Sequence, residues 1–100
     1  MSVRDNPDQS RYEITVDGEV GAFTDYRLHG DIIDLIHTET VAGFEGQGLG
    51  STLVAATLDD VRTRGLAVRP FCPFVRAYIA KHREYVDLVP VDERANFDLA

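Results

Sequence analysis

Hydrophobic and polar residues alternate along the first part of the chain in a pattern that is typical of β-strands. Tyr12, Ile14 and Val16 are separated by polar residues, and the Asp-Gly pair that follows is a common hairpin turn. Residues 20–28 predict a second strand, and residues 32–39, with a nearly continuous apolar start, predict a third and central one. The pattern therefore indicates three consecutive antiparallel strands.

The spacing of the apolar residues becomes helical after the third strand. Leu49, Leu53 and Val61 lie on one face of a helix predicted over residues 48–64. Gly65 stands where a glycine that caps a helix C-terminus is expected. The change of period indicates that a helix packs against the predicted strands.

A short strand over residues 66–71 and a second helix complete the predicted elements. Pro73 suits the first turn of this helix, whose apolar stripe comprises Val75, Tyr78, Ile79 and His82. A strand–helix–strand crossover is almost always right-handed and makes the fourth strand parallel to the third. The predicted fold is therefore α/β (α+β), with a mixed, mostly antiparallel sheet and the element order β-β-β-α-β-α.

Both ends of the chain are polar and lack a clear period. Residues 1–10 predict a mobile lead-in, and residues 89–100 predict a short strand with a tail, the tail being residues 91–100. The chain has 100 residues, of which 44% are hydrophobic, which is enough for one domain with a single core. We therefore expect one domain over residues 11–90.

Composition restricts the partners and the location of the protein. The net charge of −7 argues against a nucleic acid or an anionic membrane as partner. A single cysteine cannot form an internal disulfide, and neither a secretory signal nor a long apolar run is visible, so a cytoplasmic location is expected. His29, His37, His82 and Cys72 fall on different elements, so no metal site is expected.

Three alternating glycines, Gly46, Gly48 and Gly50, precede and open the first predicted helix. Free N–H groups and the positive end of the helix dipole bind anions at such a position, which suggests a phosphate-bearing cofactor. The alternative is a flexible connector between a strand and a helix. A Walker loop is excluded because no lysine follows Gly50, and a dinucleotide fingerprint fits poorly because the next strand ends in Arg-Pro-Phe.

The segment "EGQGLGSTLVAATLDDVRTRGLAVRPFCPFVRAYIAKHREYVDLV" resembles the GNAT superfamily of acetyl-CoA-dependent N-acetyltransferases. In particular, it is similar to the short single-domain branch that lacks the usual N-terminal helices, and the resemblance covers roughly residues 11–90. The cofactor loop of the superfamily, Q/R-x-x-G-x-G/A, falls on residues 45–50, with Glu45 where Gln or Arg is usual. The resemblance implies a truncated GNAT-like fold.

The resemblance also implies a binding site for acetyl-CoA. Backbone N–H groups of one loop would surround the pyrophosphate of coenzyme A; the loop residues are Gly46, Gln47, Gly48, Leu49, Gly50 and Ser51. The end of the third strand, from Thr38 to Val41, would pair with the pantetheine arm, because the third and fourth strands splay apart in the superfamily. The thioester would then lie beside Phe71 and Cys72.

Four side chains are candidates for the chemistry. Cys72 precedes Pro73 at a helix N-terminus, a position that favours the thiolate form of cysteine. Cys72 could take the acetyl group or protonate the CoA thiolate, and its alternative role is that of a small buried residue. His37 and Glu39 lie on one face of the third strand, where either could be the base for the amine or simply face solvent.

Tyr78 is the fourth candidate, because a tyrosine on this helix often protonates the leaving thiolate in the superfamily. Packing in the core is its alternative role. The resulting hypothesis is an acetyltransferase that uses acetyl-CoA and a small-molecule or protein amine, as a monomer or homodimer. The alternative hypothesis is a non-catalytic acyl-CoA-binding module or sensor.

Overall fold

The structure, a computed structural model, describes all residues from 1 to 100. Five strands form one sheet: β1 (Ser2–Asn6), β2 (Arg11–Val16), β3 (Glu19–His29), β4 (Ile32–Thr40) and β5 (Ala67–Pro70). Two α-helices, α1 (Leu49–Thr63) and α2 (Pro73–Lys81), are followed by two 3₁₀ segments, Arg83–Leu88 and Val91–Phe97. The predicted fold class is confirmed, with one strand more than the sequence indicated.

The strands lie in the sheet in the same order as in the chain. The neighbours from β1 to β4 are antiparallel, whereas β4 and β5 are parallel, as the crossover through α1 required. Tyr12 and Ile14 of β2 are buried against the helices, which agrees with their alternation in the sequence. The predicted C-terminal cap at Gly65 is also present, with a φ of +72°.

Residues 1–10 were predicted to be a mobile lead-in, and this was wrong for most of them. Strand β1 pairs with β2 along its whole length, so that Val3 lies opposite Ile14 and Asp5 opposite Tyr12. Val3 is the single apolar residue of this strand, and an edge strand with one apolar residue gives no periodic signal. The lead-in is therefore part of the sheet.

Residues 89–100 were predicted to be a short strand with a tail, and they fold differently. They contain the second 3₁₀ segment, and the side chains of Phe97 and Leu99 are buried. The ring of Phe97 packs edge-on against Phe71, with centroids 5.3 Å apart. The end of the chain is thus held against the end of β5.

The two helices and the first 3₁₀ segment form one layer beside the sheet. Near the start of α1, Gly50 lies against the ring of Phe74 in α2. Near its end, Arg62 donates two hydrogen bonds to Asp87 in the first 3₁₀ segment, at 2.7 and 2.9 Å. Helix α2 and the segment that follows it therefore run alongside α1, and their N-termini lie at the same end of the molecule.

Candidate active site

Strands β4 and β5 separate part of the way along β4. Their parallel pairing extends from Ile32 opposite Ala67 to Leu35 opposite Pro70. The N–H of Cys72 donates the last hydrogen bond, to the carbonyl oxygen of Leu35 at 2.8 Å. Residues 36–40 of β4 have β3 as a neighbour and no strand on the other side, which leaves a free strand edge.

The glycine-rich loop follows this free edge and leads into α1. Gly46 and Gly48 have φ angles of +80° and +70°, which residues with a side chain adopt only with strain. A Cβ atom at either position would meet no other atom within 4 Å. The backbone conformation therefore requires these two glycines, and the space beside them is open.

The N–H groups of residues 46–51 have no hydrogen-bond acceptor within the chain. They lie at the positive end of the dipole of α1, whose first turn carries no acidic residue. The carboxylate of Glu45 accepts a hydrogen bond from the N–H of Gly43 at 2.8 Å, so it is engaged inside the loop. These features fit an anionic group such as a diphosphate.

Two adjoining cavities lie at this end of the molecule. The first, of about 180 Å³, is lined by the glycines of the loop together with Thr40, Phe44 and Phe74. The second, of about 410 Å³, lies between α1 and α2 and includes Lys81. Ser51 and Phe74 line both cavities, so the second continues from the first along the helices.

Cys72 lies at the point where β4 and β5 separate. It is the N-cap residue of α2, and the residue is only 3% exposed. Its thiol donates a hydrogen bond to the hydroxyl of Thr38 at 3.4 Å, and Thr38 donates to the hydroxyl of the fully buried Thr24 at 3.0 Å. The structure thus brings Cys72 and Thr38 together beside the free edge of β4.

His37 and Glu39 lie next to each other on one face of β4, as their spacing predicted. The Nε2 atom of His37 is 3.2 Å from Oε1 of Glu39, and both side chains are more than half exposed. Thr38, between them, points to the opposite face, where it meets Cys72. The pair and the cysteine are therefore on different faces of the sheet, next to the gap between β4 and β5.

Tyr78 and Val41 make their contacts with residues other than Cys72. The half-buried ring of Tyr78 stacks on that of His82, with centroids 4.1 Å apart, and it lines the second cavity. Burial, and then the charges of Glu84 and Asp59, raise the pKa of Tyr78 above its ordinary value. The N–H of Val41 donates to the carbonyl oxygen of Gly21 at 2.8 Å, which continues the pairing of β3 with the chain beyond β4.

Three further residues support the site and were not identified from the sequence. Thr24 anchors the hydroxyl of Thr38, and nothing in its sequence context signals this. Gly21 lies in the interior of β3, where a glycine often marks a close approach of another element. Lys81 is the single lysine of the chain, and this fact was visible in the composition.

The fold and the site together define an α/β protein whose strand–helix loop fits a phosphate-bearing ligand beside a pair of splayed strands. A sequence model of the family described as GCN5-related N-acetyl-transferase matches residues 11–88. The chain belongs to this family of acetyltransferases, as its resemblance to the GNAT superfamily implied. No curated protein matches the sequence.

Two solved structures share this fold. A GCN5-like protein from Staphylococcus aureus, solved by NMR, is 22% identical, with a TM-score of 0.66 over 89% of this chain and 87% of that one. The crystal structure of the ribosomal-protein-S18-alanine N-acetyltransferase from Escherichia coli is 25% identical, with a TM-score of 0.53 over 58% of this chain. This match spans 38% of the E. coli chain. In the present structure, no helix has the length and apolar character that a membrane crossing requires.

Proposed function

We propose that this protein transfers the acetyl group of acetyl-CoA to an amine. The observation that carries the proposal is the row of unpaired N–H groups from Gly46 to Ser51, which lies directly beside the free edge of β4. Such a row holds a diphosphate through the backbone, and a free strand edge can pair with the amides of an extended arm. Acetyl-CoA has both parts, and members of the family generally use it.

Residues 46–51 would hold the pyrophosphate, and residues 38–40 would pair with the pantetheine arm, because the N–H of Val41 is already donated to Gly21. This pairing can use the side of β4 that has no strand neighbour. When bound, acetyl-CoA supplies an activated acetyl group as a thioester. The arm would direct this group toward the end of β5, where Cys72 begins α2.

Cys72 would act at the acyl end of the site. Its contact with Thr38 and its N-cap position hold the sulfur at the separation of the strands. From there the thiol can accept the acetyl group as a nucleophile or give its proton to a departing thiolate. Tyr78, the other candidate donor, would contact the cofactor from the second cavity.

His37 or Glu39 would act as the general base for the acceptor amine. An acceptor amine must lose a proton before it attacks an acyl group, and an exposed imidazole paired with a carboxylate can take that proton. The acceptor, a small molecule or a protein, would reach the gap between β4 and β5 from the face of the sheet that carries His37 and Glu39. We propose that the protein acts in the cytoplasm as a monomer or a homodimer. Neither a nucleic acid nor a membrane would be its partner.

Binding and turnover are tested separately. Acetyl-CoA and CoA should raise the melting temperature, and NAD should not. Gly48→Val should weaken CoA binding at least about tenfold, because a branched residue is strained at the φ of Gly48 and its side chain fills the open space beside the loop. Failure of both CoA and acetyl-CoA to stabilise the protein would refute the proposal.

Turnover is measured as free thiol released from acetyl-CoA in the presence of a panel of amines. Release that depends on an amine identifies an acetyltransferase and its class of acceptor. Binding of acetyl-CoA without release under any of these conditions would instead favour the acyl-CoA-binding module or sensor.

A further inference from the structure

One face of the sheet carries no helix, and we call it the open face. In β3, Thr24 and Tyr26 are buried on the side of the helices, so Asp25 and Arg27, which alternate with them, point to the open face. Asp25 lies directly opposite His37 in the pairing of β3 with β4. Residues that lie opposite each other in an antiparallel pair share a face of the sheet. Arg27 is therefore on the same face as the candidate bases.

A cavity of about 290 Å³ lies on the open face, beside the gap between β4 and β5. The residues that line it are Arg27, Asp34, Ile36 and Phe71. Phe71 directly precedes Cys72, and Ile36 directly precedes His37, so the cavity adjoins both the acyl end of the site and the candidate bases. Phe71 is 48% exposed and Ile36 is half-buried, so both offer apolar surface. The volume is near the lower end of the range for small-molecule sites.

Arg27 is the one arginine of the chain whose guanidinium has no partner. Every other arginine donates to, or forms an ion pair with, a carboxylate, a hydroxyl or a carbonyl oxygen. The carboxylate in the cavity, Asp34, accepts two hydrogen bonds from Arg69 and lies 3.1 Å from Nε2 of His29. Asp34 is only 5% exposed, so the free charge that the cavity presents to a ligand is that of Arg27.

We propose that the acceptor is a free apolar amino acid whose carboxylate binds Arg27. This inference rests on the proposed function, because it takes the acetyl group to lie at the gap between β4 and β5. A planar guanidinium can hold a carboxylate through two parallel hydrogen bonds. Arg27 is two residues, or roughly 7 Å of strand, from the residue opposite His37, so the amine of the bound amino acid can lie toward His37. Its apolar side chain would rest on Ile36 and Phe71.

The transfer leaves the carboxylate of the acceptor unchanged. The ammonium group first loses one proton to His37 or Glu39, which passes it to solvent. A bond from the nitrogen to the acetyl carbon then replaces the C–S bond of the thioester, and the second proton from the nitrogen ends on the departing thiolate. The product is an N-acetyl amino acid.

The test measures thiol release from acetyl-CoA with two amino acids, L-leucine and L-phenylalanine. Each is compared with its carboxamide and with its decarboxylated amine, which lack the negative charge. In the wild-type protein, kcat/KM for each amino acid should be at least about tenfold higher than for either analogue. The amine of the carboxamide loses its proton more readily, because no carboxylate lies beside it, so easier deprotonation cannot explain a preference for the amino acid.

Arg27→Gln should lower kcat/KM for the amino acids at least about tenfold and leave the values for the analogues within about twofold. Arg27→Lys should keep part of the preference, since it retains the charge without the paired donors. Arg4→Gln is the matched control for the loss of one positive charge. Arg4 is paired with Glu13 on the open face of β1, its side chain is 68% exposed, and it lies outside this cavity. Arg4→Gln should keep the wild-type preference, and circular dichroism will establish that each variant is folded.

Each outcome separates this inference from the proposed function. Equal kcat/KM for the amino acids and their analogues in the wild type, or an unchanged preference in Arg27→Gln, refutes the role of Arg27 and leaves acetyl transfer standing. An equal loss of the preference in Arg4→Gln also refutes it, because the effect would then be one of net charge. Acetylation of other amines but of neither amino acid refutes this inference alone, and acetylation of no amine refutes both proposals.

Discussion

Two separate elements hold the side chain of Cys72. Its backbone stands at the N-cap position of α2, and its thiol donates to the hydroxyl of Thr38 on β4, so its position depends on both. Serine can make the same contact, because its hydroxyl is also a donor of similar size. Cys72→Ser therefore changes the chemistry of the site while it keeps the local structure, whereas Cys72→Ala removes the polar atom.

Both substitutions of Cys72 should lower the turnover of acetyl-CoA at least about tenfold, since serine is a far weaker nucleophile and acid than cysteine at neutral pH. The affinity for CoA should stay within about twofold of wild type, because the pyrophosphate contacts are to backbone groups of the loop. Thiol release and calorimetry measure the two quantities. Wild-type turnover in both variants would assign Cys72 to packing alone.

At the level of elements, β3 and the cofactor loop meet at Gly21. A Cβ atom there would lie 2.7 Å from Cδ1 of Leu49 and 3.1 Å from a ring atom of Phe44. Leu49 is the first residue of α1 and is buried, so it has little room to move. The absence of a side chain at Gly21 thus leaves room for the side chains of Leu49 and Phe44.

Gly21→Ala should destabilise the protein by about 1 to 3 kcal/mol, because the added methyl overpacks this contact. It should also weaken CoA binding, because displacement of Leu49 moves the N–H groups that precede it. Gly18→Ala is the control, since Gly18 has a φ of +81° in the turn between β2 and β3, with open space around it. Gly18→Ala should lose stability without loss of CoA affinity. Equal CoA affinity in Gly18→Ala and Gly21→Ala would contradict the link between Gly21 and the cofactor loop.

The sequence predicted those elements whose residues repeat with a clear period. The alternation in β2 and the helical spacing after Leu49 located the sheet and α1, and the order of elements required β4 and β5 to be parallel. Strand β1 has one apolar residue, and its place depends on pairing with β2, which local patterns do not encode. The 3₁₀ segment near Phe97 depends in the same way on contacts distant in the chain.

The candidate site, like the fold, can be predicted from the sequence only where local patterns determine it. Left-handed glycines before a helix can be inferred from the sequence, and so can a cysteine followed by a helical proline. Contacts between residues of different elements cannot be inferred from the sequence, because they depend on which side chains the tertiary fold brings together. The hydrogen bond from Cys72 to Thr38 and the contact of Gly21 with Leu49 are of this kind.

Three tyrosine–aspartate hydrogen bonds connect elements that are distant in the chain. Tyr12 of β2 donates to Asp60 of α1 at 2.5 Å, and Tyr85 of the first 3₁₀ segment donates to Asp59 of α1 at 2.7 Å. Tyr26 of β3 donates to Asp5 of β1, also at 2.7 Å. Each bond requires a neutral phenol, so the folded state favours the protonated tyrosine.

Alkaline pH should therefore unfold this protein more readily than a protein with exposed tyrosines. Burial and the hydrogen bond to an aspartate raise the pKa of Tyr26 and of Tyr85 to about 12, and that of Tyr12 still further. The unfolded chain releases these protons near pH 10, so their stabilising contribution is complete below that pH and is lost as the pH rises through the folded pKa values. Urea denaturation should show a fall of up to about 1.4 kcal/mol per pH unit for each tyrosine above pH 10. Tyr85→Phe should be less stable at pH 8 and lose stability less steeply from pH 10 to 12, and an equally steep loss in this variant would contradict the assignment.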